Sequence, residues 1–390
     1  MRQLLAVPLS LCLALFLADG VVSLADDTLI LLFGTHLLAG IRGIVFLFDM
    51  LMAAVIYGLM GLTPIIPKRL FLPLTLFSPA AALFVVPVLI YFHGRIQQVA
   101  WVISLCQVIF GLSILSLLQG ALKIRWPLVP ETRLQARRFS WLNLLGFLLV
   151  NLFVLLPMAV GYVVCCGALA VEHFSEGFLT LRPGGLIVQV RKYVRNDGKT
   201  IQLVPMSHVG EPEFYRKLAR SFPTNSIILM EGVTDNQNLL TNKITYKRMA
   251  TSLGLAEQQQ EFEPTRGELV WADVDVEQFA PNTIGFLNLI MLVHSKGVNA
   301  DTVLKVMQYS PPAHFEEQLL DDLLGKRNRH VLEEMHSQLS QTENIVVPWG
   351  VAHMPGIAKE IQKSGFRLAG TQEYVAIRFR SAGNKSKNAP

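Results

Sequence analysis

The sequence predicts a chain in two parts: an N-terminal α-helical transmembrane bundle, and a C-terminal α/β (α+β) domain with a central, partly parallel sheet flanked by helices. Three observations predict this. Long apolar runs fill the first 169 residues. Charge is segregated, with 10 Lys/Arg and 5 Asp/Glu in residues 1–168 against 24 of each sign in the remainder. Beyond residue 185, short β-branched runs alternate with stretches of helical spacing. With 52% hydrophobic and 16% charged residues, the chain is too apolar for an ordinary soluble protein. The net charge of +5 sits in the apolar half, so the basic balance points to loops beside a lipid bilayer and not to nucleic acid. Cys12, Cys106, Cys165 and Cys166 all lie in that half, so the second half has no disulfide framework and no thiolate metal site.

The membrane domain is read as residues 1–169. An apolar stretch at about 3–24, behind Arg2, is either a cleavable signal, with small residues at Ser23-Leu24-Ala25, or a first span. Residues 29–41 are read as interfacial or re-entrant. Spans follow at about 43–62, 70–92, 98–119 and 141–169, each long enough for a hydrocarbon core that needs about 20 residues. Lys68, Arg69 and the cluster Lys123, Arg125, Arg133, Arg137 and Arg138 fall on one side by parity. The positive-inside bias makes that side cytoplasmic and places residues 170–390, with the domain at 170–380, outside the cytoplasm, in the periplasm of a cell with two membranes. Arg42, Asp49, Asn143 and Asn151 are the polar residues in or near the spans; Asp49 is expected to face a neighbouring helix.

In the second half, residues 185–194 and 200–206 read as strands joined by the turn Asn196-Asp197-Gly198-Lys199. A helix at 211–221 leads to a strand at 226–230, and this strand–helix–strand run predicts a parallel pair with a right-handed crossover. Residues 244–256 and 299–309 have helical spacing. Residues 314–339 read as a long helix whose charge run is a solvated face. A third buried strand at 344–349 turns at Gly350 and delivers His353 to the start of a helix that carries Pro355 in its first turn. A strand from Tyr374 to Phe379 and a disordered tail at 381–390 end the chain.

His208, Glu231 and His353 each follow the carboxyl end of a buried strand, the edge where open α/β sheets bind ligands. Two imidazoles and a carboxylate there fit a divalent metal with an open position, or a carboxylate-held histidine acting as general base on water; spacing does not separate the two. Singly, each residue is as well explained as a satisfied core or surface group, and Glu231 as a helix cap; their coincidence is what makes a site. His294, His314, His330 and His336 lack this context and read as structural.

These residues resemble the TraB/Tiki/GumN family. The resemblance covers roughly 190–380 and rests on Gly350-Val351-Ala352-His353-Met354-Pro355-Gly356, on His208 and on Glu231. Tyr246-Lys247-Arg248-Met249-Ala250, Leu253-Gly254-Leu255, Gln258 and Lys326-Arg327-Asn328 add weaker matches in the family's order. Pro205 stands where the family's first motif has glycine, which puts close backbone approach at that motif in doubt, and Val274 stands where a basic residue is usual. The resemblance implies a membrane-anchored, metal-dependent hydrolase, first of all a peptidase, acting outside the cytoplasm on a peptide or protein. His208, Glu231 and His353 would hold manganese, cobalt or zinc, with Glu231 and Arg327 in the catalysis. Arg327 would bind a substrate carboxylate or steady an oxyanion, or else be a structural salt bridge; Asp273 is a weaker candidate, better read as a helix cap. Capture of a peptide or cofactor without turnover is the alternative, and a transport or signalling protein with a sensor domain is the third reading.

Overall fold

The computed structural model describes residues 2–120, 125–134, 139–241, 246–297, 299–309, 312 and 314–379. The chain forms two compact units, Met1–Leu169 and Ala170–Pro390.

The first unit is helical: α1 (Arg2–Phe33), α2 (Ala39–Leu62), α3 (Lys68–Tyr91), α4 (Ile96–Gln119), α5 (Trp141–Val150) and α6 (Leu156–Phe174). A π-helical turn, Asn151–Leu155, joins the last two into one rod. Five segments of this set are long and apolar enough to cross a membrane. Residues 29–33 are the end of α1 and not a separate interfacial segment, because the helix continues from Arg2 to Phe33 without a break. Leu9, Cys12, Leu13 and Phe16 of α1 pack with Ile56 and Met60 of α2, Phe71 and Leu74 of α3, and Ile114 and Leu118 of α4. Outward faces stay apolar, with Leu142, Phe153 and Met158 exposed.

The helix breaks are repaired by side chains. Pro87 lacks the N–H that would reach the Leu83 carbonyl, and the Tyr162 hydroxyl donates to that carbonyl instead at 2.7 Å. Asn151 donates to the Phe147 carbonyl at 2.8 Å and accepts from Tyr57 at 2.6 Å. Asn143 donates to the Met60 and Gly61 carbonyls at the end of α2. The two asparagines thus tie helices together. Of the basic cluster that oriented the chain, Lys123, Arg137 and Arg138 lie outside the described residues, as do residues 244–245 and the tail 381–390.

The second unit is a mixed sheet with helices on both faces. In order it comprises β1 (Leu179–Arg182), β2 (Gly185–Val194), β3 (Thr200–Met206), β4 (Val209–Gly210), α7 (Pro212–Arg220), β5 (Ser226–Met230), α8 (Lys247–Leu253), β6 (Ala256–Glu257), α9 (Gln258–Glu261) and β7 (Glu268–Trp271). Then come α10 (Pro281–Lys296), α11 (Ala300–Gln308), α12 (Phe315–Leu320), α13 (Arg327–Gln338), β8 (Asn344–Gly350), α14 (Met354–Lys363) and β9 (Arg367–Arg378). The main sheet runs β1-β2-β3-β8-β5-β7, with β9 also on β2, while β4 and β6 pair separately. Its β3-β8-β5-β7 part is parallel and the rest antiparallel.

The expected pairing of β3 with β5 does not form. Strand β8 lies between them and pairs with both. Its side chains alternate between two cores. Ile345, Val347 and Trp349 meet Val331 and Met335 of α13 and Ile357 and Ile361 of α14. Val346 meets Phe214 and Leu218 of α7. Helix α14 buries Met354, Ile357, Ala358 and Ile361, the one-face spacing of an amphipathic helix. Strand β9 starts at Arg367, seven residues earlier than the sequence pattern indicated.

Two prolines shape the carboxyl edge of the sheet. Pro205 pairs with Trp349 at a point where β2 no longer runs beside β3, so its missing N–H costs β2 nothing. Beyond Ile228–Val346 the register between β5 and β8 stops, and Pro348 has no N–H to continue it. The Trp349 indole N–H donates to the Leu229 carbonyl at 2.9 Å in its place. The two strands therefore part at their carboxyl ends, and that gap receives Glu231.

Candidate functional site

Glu231 follows β5, and its Oε2 accepts the Gly350 N–H at 2.5 Å across the gap. Gly350 is the last residue of β8, and one 3-10 turn, Val351–His353, brings His353 beside it. Met354 and Pro355 then open α14. His353 is 3% exposed. Its Nδ1 lies 2.8 Å from Asn328 Oδ1, so Nδ1 carries the proton and donates. The tautomer leaves a lone pair on Nε2, which faces Glu231 Oε1 at 3.7 Å. That separation is too long for a hydrogen bond.

Arg327 sits between two carboxylates. Its Nε and Nη2 grip Asp273 in a fork at 2.9 and 2.6 Å, and Nη2 also reaches Glu231 Oε1 at 2.7 Å. The guanidinium stands over the Trp349 ring at 5.4 Å. Asp273 is fully buried and follows β7; it accepts the Gly232 N–H at 3.0 Å and the Val274 N–H at 2.9 Å. It is not a helix cap: Asp275, two residues on, caps the next turn by accepting from the Glu277 N–H. Asp273 is instead the second carboxylate of the site, two residues beyond a parallel strand as Glu231 is one beyond its own.

Arg327 and Asn328 reach the site from the first turn of α13, directly after a π-helical turn, Asp321–Lys326. The charge run expected as a solvated face is therefore divided. Asp322 is buried, bound to Lys326 at 2.6 Å and to the Ala280 N–H at 2.9 Å, and Arg327 points inward. Gly356 explains a motif position. A Cβ there would lie 2.7 Å from Asn328 Nδ2, so glycine is what lets the amide reach His353.

The electrostatics follow from burial. Burial lowers the proton affinity of His353, the Arg327 charge lowers it further, and Glu231 and Asp273 recover part, leaving a pKa of about 4. His353 is then neutral at pH 7, and its approach to Glu231 is not an ion pair. Burial also opposes the Arg327 charge, but the hydrogen bonds and charges of Asp273 and Glu231 outweigh it and hold the guanidinium above its ordinary value. Neutral Nε2 and anionic Oε1 are two acceptors facing each other. A water between them could donate to both.

His208 stands apart from this group. It is exposed two residues past β3, stacked on the Tyr246 ring at 5.0 Å and 5°, and its carbonyl accepts the Gln258 N–H. Of the residues singled out in the sequence, the structure unites Glu231, Arg327, Asp273 and His353. Among the described residues no group of three or more His, Cys, Asp or Glu side chains is placed to hold a metal ion. Glu231 accepts one hydrogen bond at each oxygen and keeps further lone pairs, and His353 Nε2 keeps its own. The donor set as it stands does not fit the three-ligand metal centre expected from the sequence.

No protein-family model, no curated protein and no solved structure matches the chain.

Proposed function

We propose that the second unit is a hydrolase of the TraB/Tiki kind, first of all a peptidase, carried by a membrane anchor and acting outside the cytoplasm. The supporting observation is the lone pair of neutral His353 Nε2 held 3.7 Å from Glu231 Oε1 at the carboxyl edge of a parallel sheet. A water bound there is oriented by Glu231 and surrenders its proton to His353 as it attacks a carbonyl. Asn328 fixes the tautomer, and Arg327 holds Glu231 in place while its positive charge balances the carboxylates. With two guanidinium nitrogens committed to Asp273 and Glu231, Arg327 acts chiefly as a positioning group. A divalent metal, if bound, would supply a more acidic water. It would need His208 beside Glu231 and His353, and no step here runs through it. The five apolar helices and their basic loops support the anchor and its orientation.

The test is cleavage of a peptide library by the purified full chain, with the metal content measured on the same sample. Cleavage that falls to background in His353→Ala and Glu231→Gln supports the reading. Undiminished cleavage in His353→Ala, or peptide binding without turnover, overturns it. Stoichiometric metal that is lost in His208→Ala would restore the three-ligand centre in place of the metal-free one.

Gly356→Ala tests the positioning of His353. The new methyl displaces the Asn328 amide and with it the Nδ1 hydrogen bond. Stability is expected to fall by about 1 kcal/mol, the worth of one hydrogen bond. The turnover number is expected to fall roughly 100-fold with KM unchanged, as a small misplacement of a reacting group does. Equal turnover in wild type and variant would remove Asn328 from the mechanism.

A further inference from the structure

The first unit carries a polar ladder that the hydrolase reading does not use. On α1, Cys12, Asp19 and Asp26 recur every seven residues, and on α2 so do Arg42 and Asp49. A seven-residue step keeps side chains on one helix face and advances about 10 Å. The two helices run antiparallel through the turn at 34–38, so the rungs meet in reverse order. The outer rung is charged and paired. Arg42 Nη1 reaches Asp27 Oδ1 at 2.7 Å and Asp26 Oδ2 at 3.3 Å. Asp26 also accepts the Leu38 N–H, and Asp27 accepts from Gln97 and Ser104 of α4.

The next rung inward is Asp19 with Asp49. They are 3% and 1% exposed. Gln107 of α4 donates to Asp19 Oδ2 at 2.9 Å. Asp19 Oδ1 and Asp49 Oδ1 have no hydrogen-bond partner among the described residues. Among the described residues, other charged or titratable groups near them are few: the Arg42 charge acts on Asp19 from the outer rung, and Asp49 acts on Cys12 in the rung below. Helix α3 has its titratable side chains at its ends, Lys68, Arg69 and Tyr91, and α5 has none.

Two buried carboxylates on packed helices, each with an orphaned oxygen, are each short of a hydrogen-bond donor. A hard divalent cation would ask for six or more oxygens. Two orphaned oxygens are what a single proton needs. We propose that Asp19 and Asp49 form a proton-binding site, in which the pair holds one proton on one of its two orphaned carboxyl oxygens, reached from the Asp26–Asp27–Arg42 end. Side-by-side carboxylates elsewhere share one proton because both cannot remain ionised together. Buried acids within apolar helices are costly and mark such pathways. The site is independent of the His353 chemistry.

Infrared difference spectroscopy of the full chain in lipid nanodiscs, stepped in pH, reads the proton directly. The expected result is a carboxylic-acid C=O band that accompanies uptake of one proton per chain, with both lost in Asp49→Asn. Asparagine is isosteric, and Asp19→Asn serves as the second variant should the first fail to fold. A band and an uptake that persist in both variants overturn the proposal. So does a sodium-dependent rise in melting temperature at fixed pH that Asp49→Asn abolishes, since the bound cation would then be the metal.

Discussion

Arg327→Met is expected to lower the stability of the second unit by about 3–5 kcal/mol, the cost of breaking a buried ion pair from one side. The arginine side chain is 13% exposed, Glu231 15% and Asp273 0%. Removing the guanidinium leaves Glu231 and Asp273 without their shared cation, and the Asp273 side chain is shielded from solvent. For a unit of this size the loss corresponds to a melting shift of roughly 10 °C. Arg327→Lys is expected to recover only part, since an ammonium cannot span both Asp273 oxygens while also reaching Glu231. Adding Asp273→Asn to Arg327→Met should restore stability relative to Arg327→Met alone, because one stranded charge disappears. Thermal unfolding followed by tryptophan fluorescence checks this, as Trp349 packs beneath the guanidinium. Arg327→Met within about 1 kcal/mol of wild type would mean that the clamp is not what holds the site.

The parts of the site that the sequence made legible share one signal. Glu231 and His353 each end a short apolar strand, and that pattern survives without any knowledge of strand order. Asp273 carries the same signal, but its strand is only Glu268–Trp271 and largely exposed, so it did not stand out. Asn328 left no such mark. It lies inside a charged helix, and the π-helical turn before it changes which residues face the sheet, so helical spacing counted from 314 points the wrong way. The placement of β8 between β3 and β5 was equally hidden. A strand–helix–strand run predicts direction, but nothing local tells that a strand over 100 residues later will insert between the two. His208 shows the converse limit. It ends a buried strand as His353 does, yet β3 continues into the two-residue strand Val209–Gly210, which pairs with β6, and His208 turns to stack on Tyr246. In the first unit, length and hydropathy marked the helices, while the heptad match between Asp19 and Asp49 became visible only once α1 and α2 were seen to pack together.

Between pH 7 and pH 5 the stability of the second unit is expected to fall by about 2 kcal/mol through His353 alone. The sign follows from where the proton goes. Unfolded, the imidazole has its ordinary pKa of 6.5; folded, burial and Arg327 bring it to about 4. In that window the unfolded chain binds a proton that the folded chain refuses, so acid favours unfolding. The folded state is at its full advantage above pH 6.5, and the loss is complete near pH 4. His353→Gln removes the titrating group, so the difference in stability between wild type and variant, measured at pH 7 and again at pH 5, isolates it from every other carboxylate and histidine. The variant is expected to be the less acid-sensitive of the two by that amount. The same low proton affinity bears on chemistry. A histidine that stays neutral down to about pH 4 keeps its Nε2 lone pair throughout, so its protonation would set the acid limb of peptide cleavage near pH 4 and not near 6.5. An acid limb at the ordinary histidine value, with no difference in acid sensitivity between wild type and His353→Gln, would place the imidazole in water and out of the buried position on which its pairing with Glu231 depends.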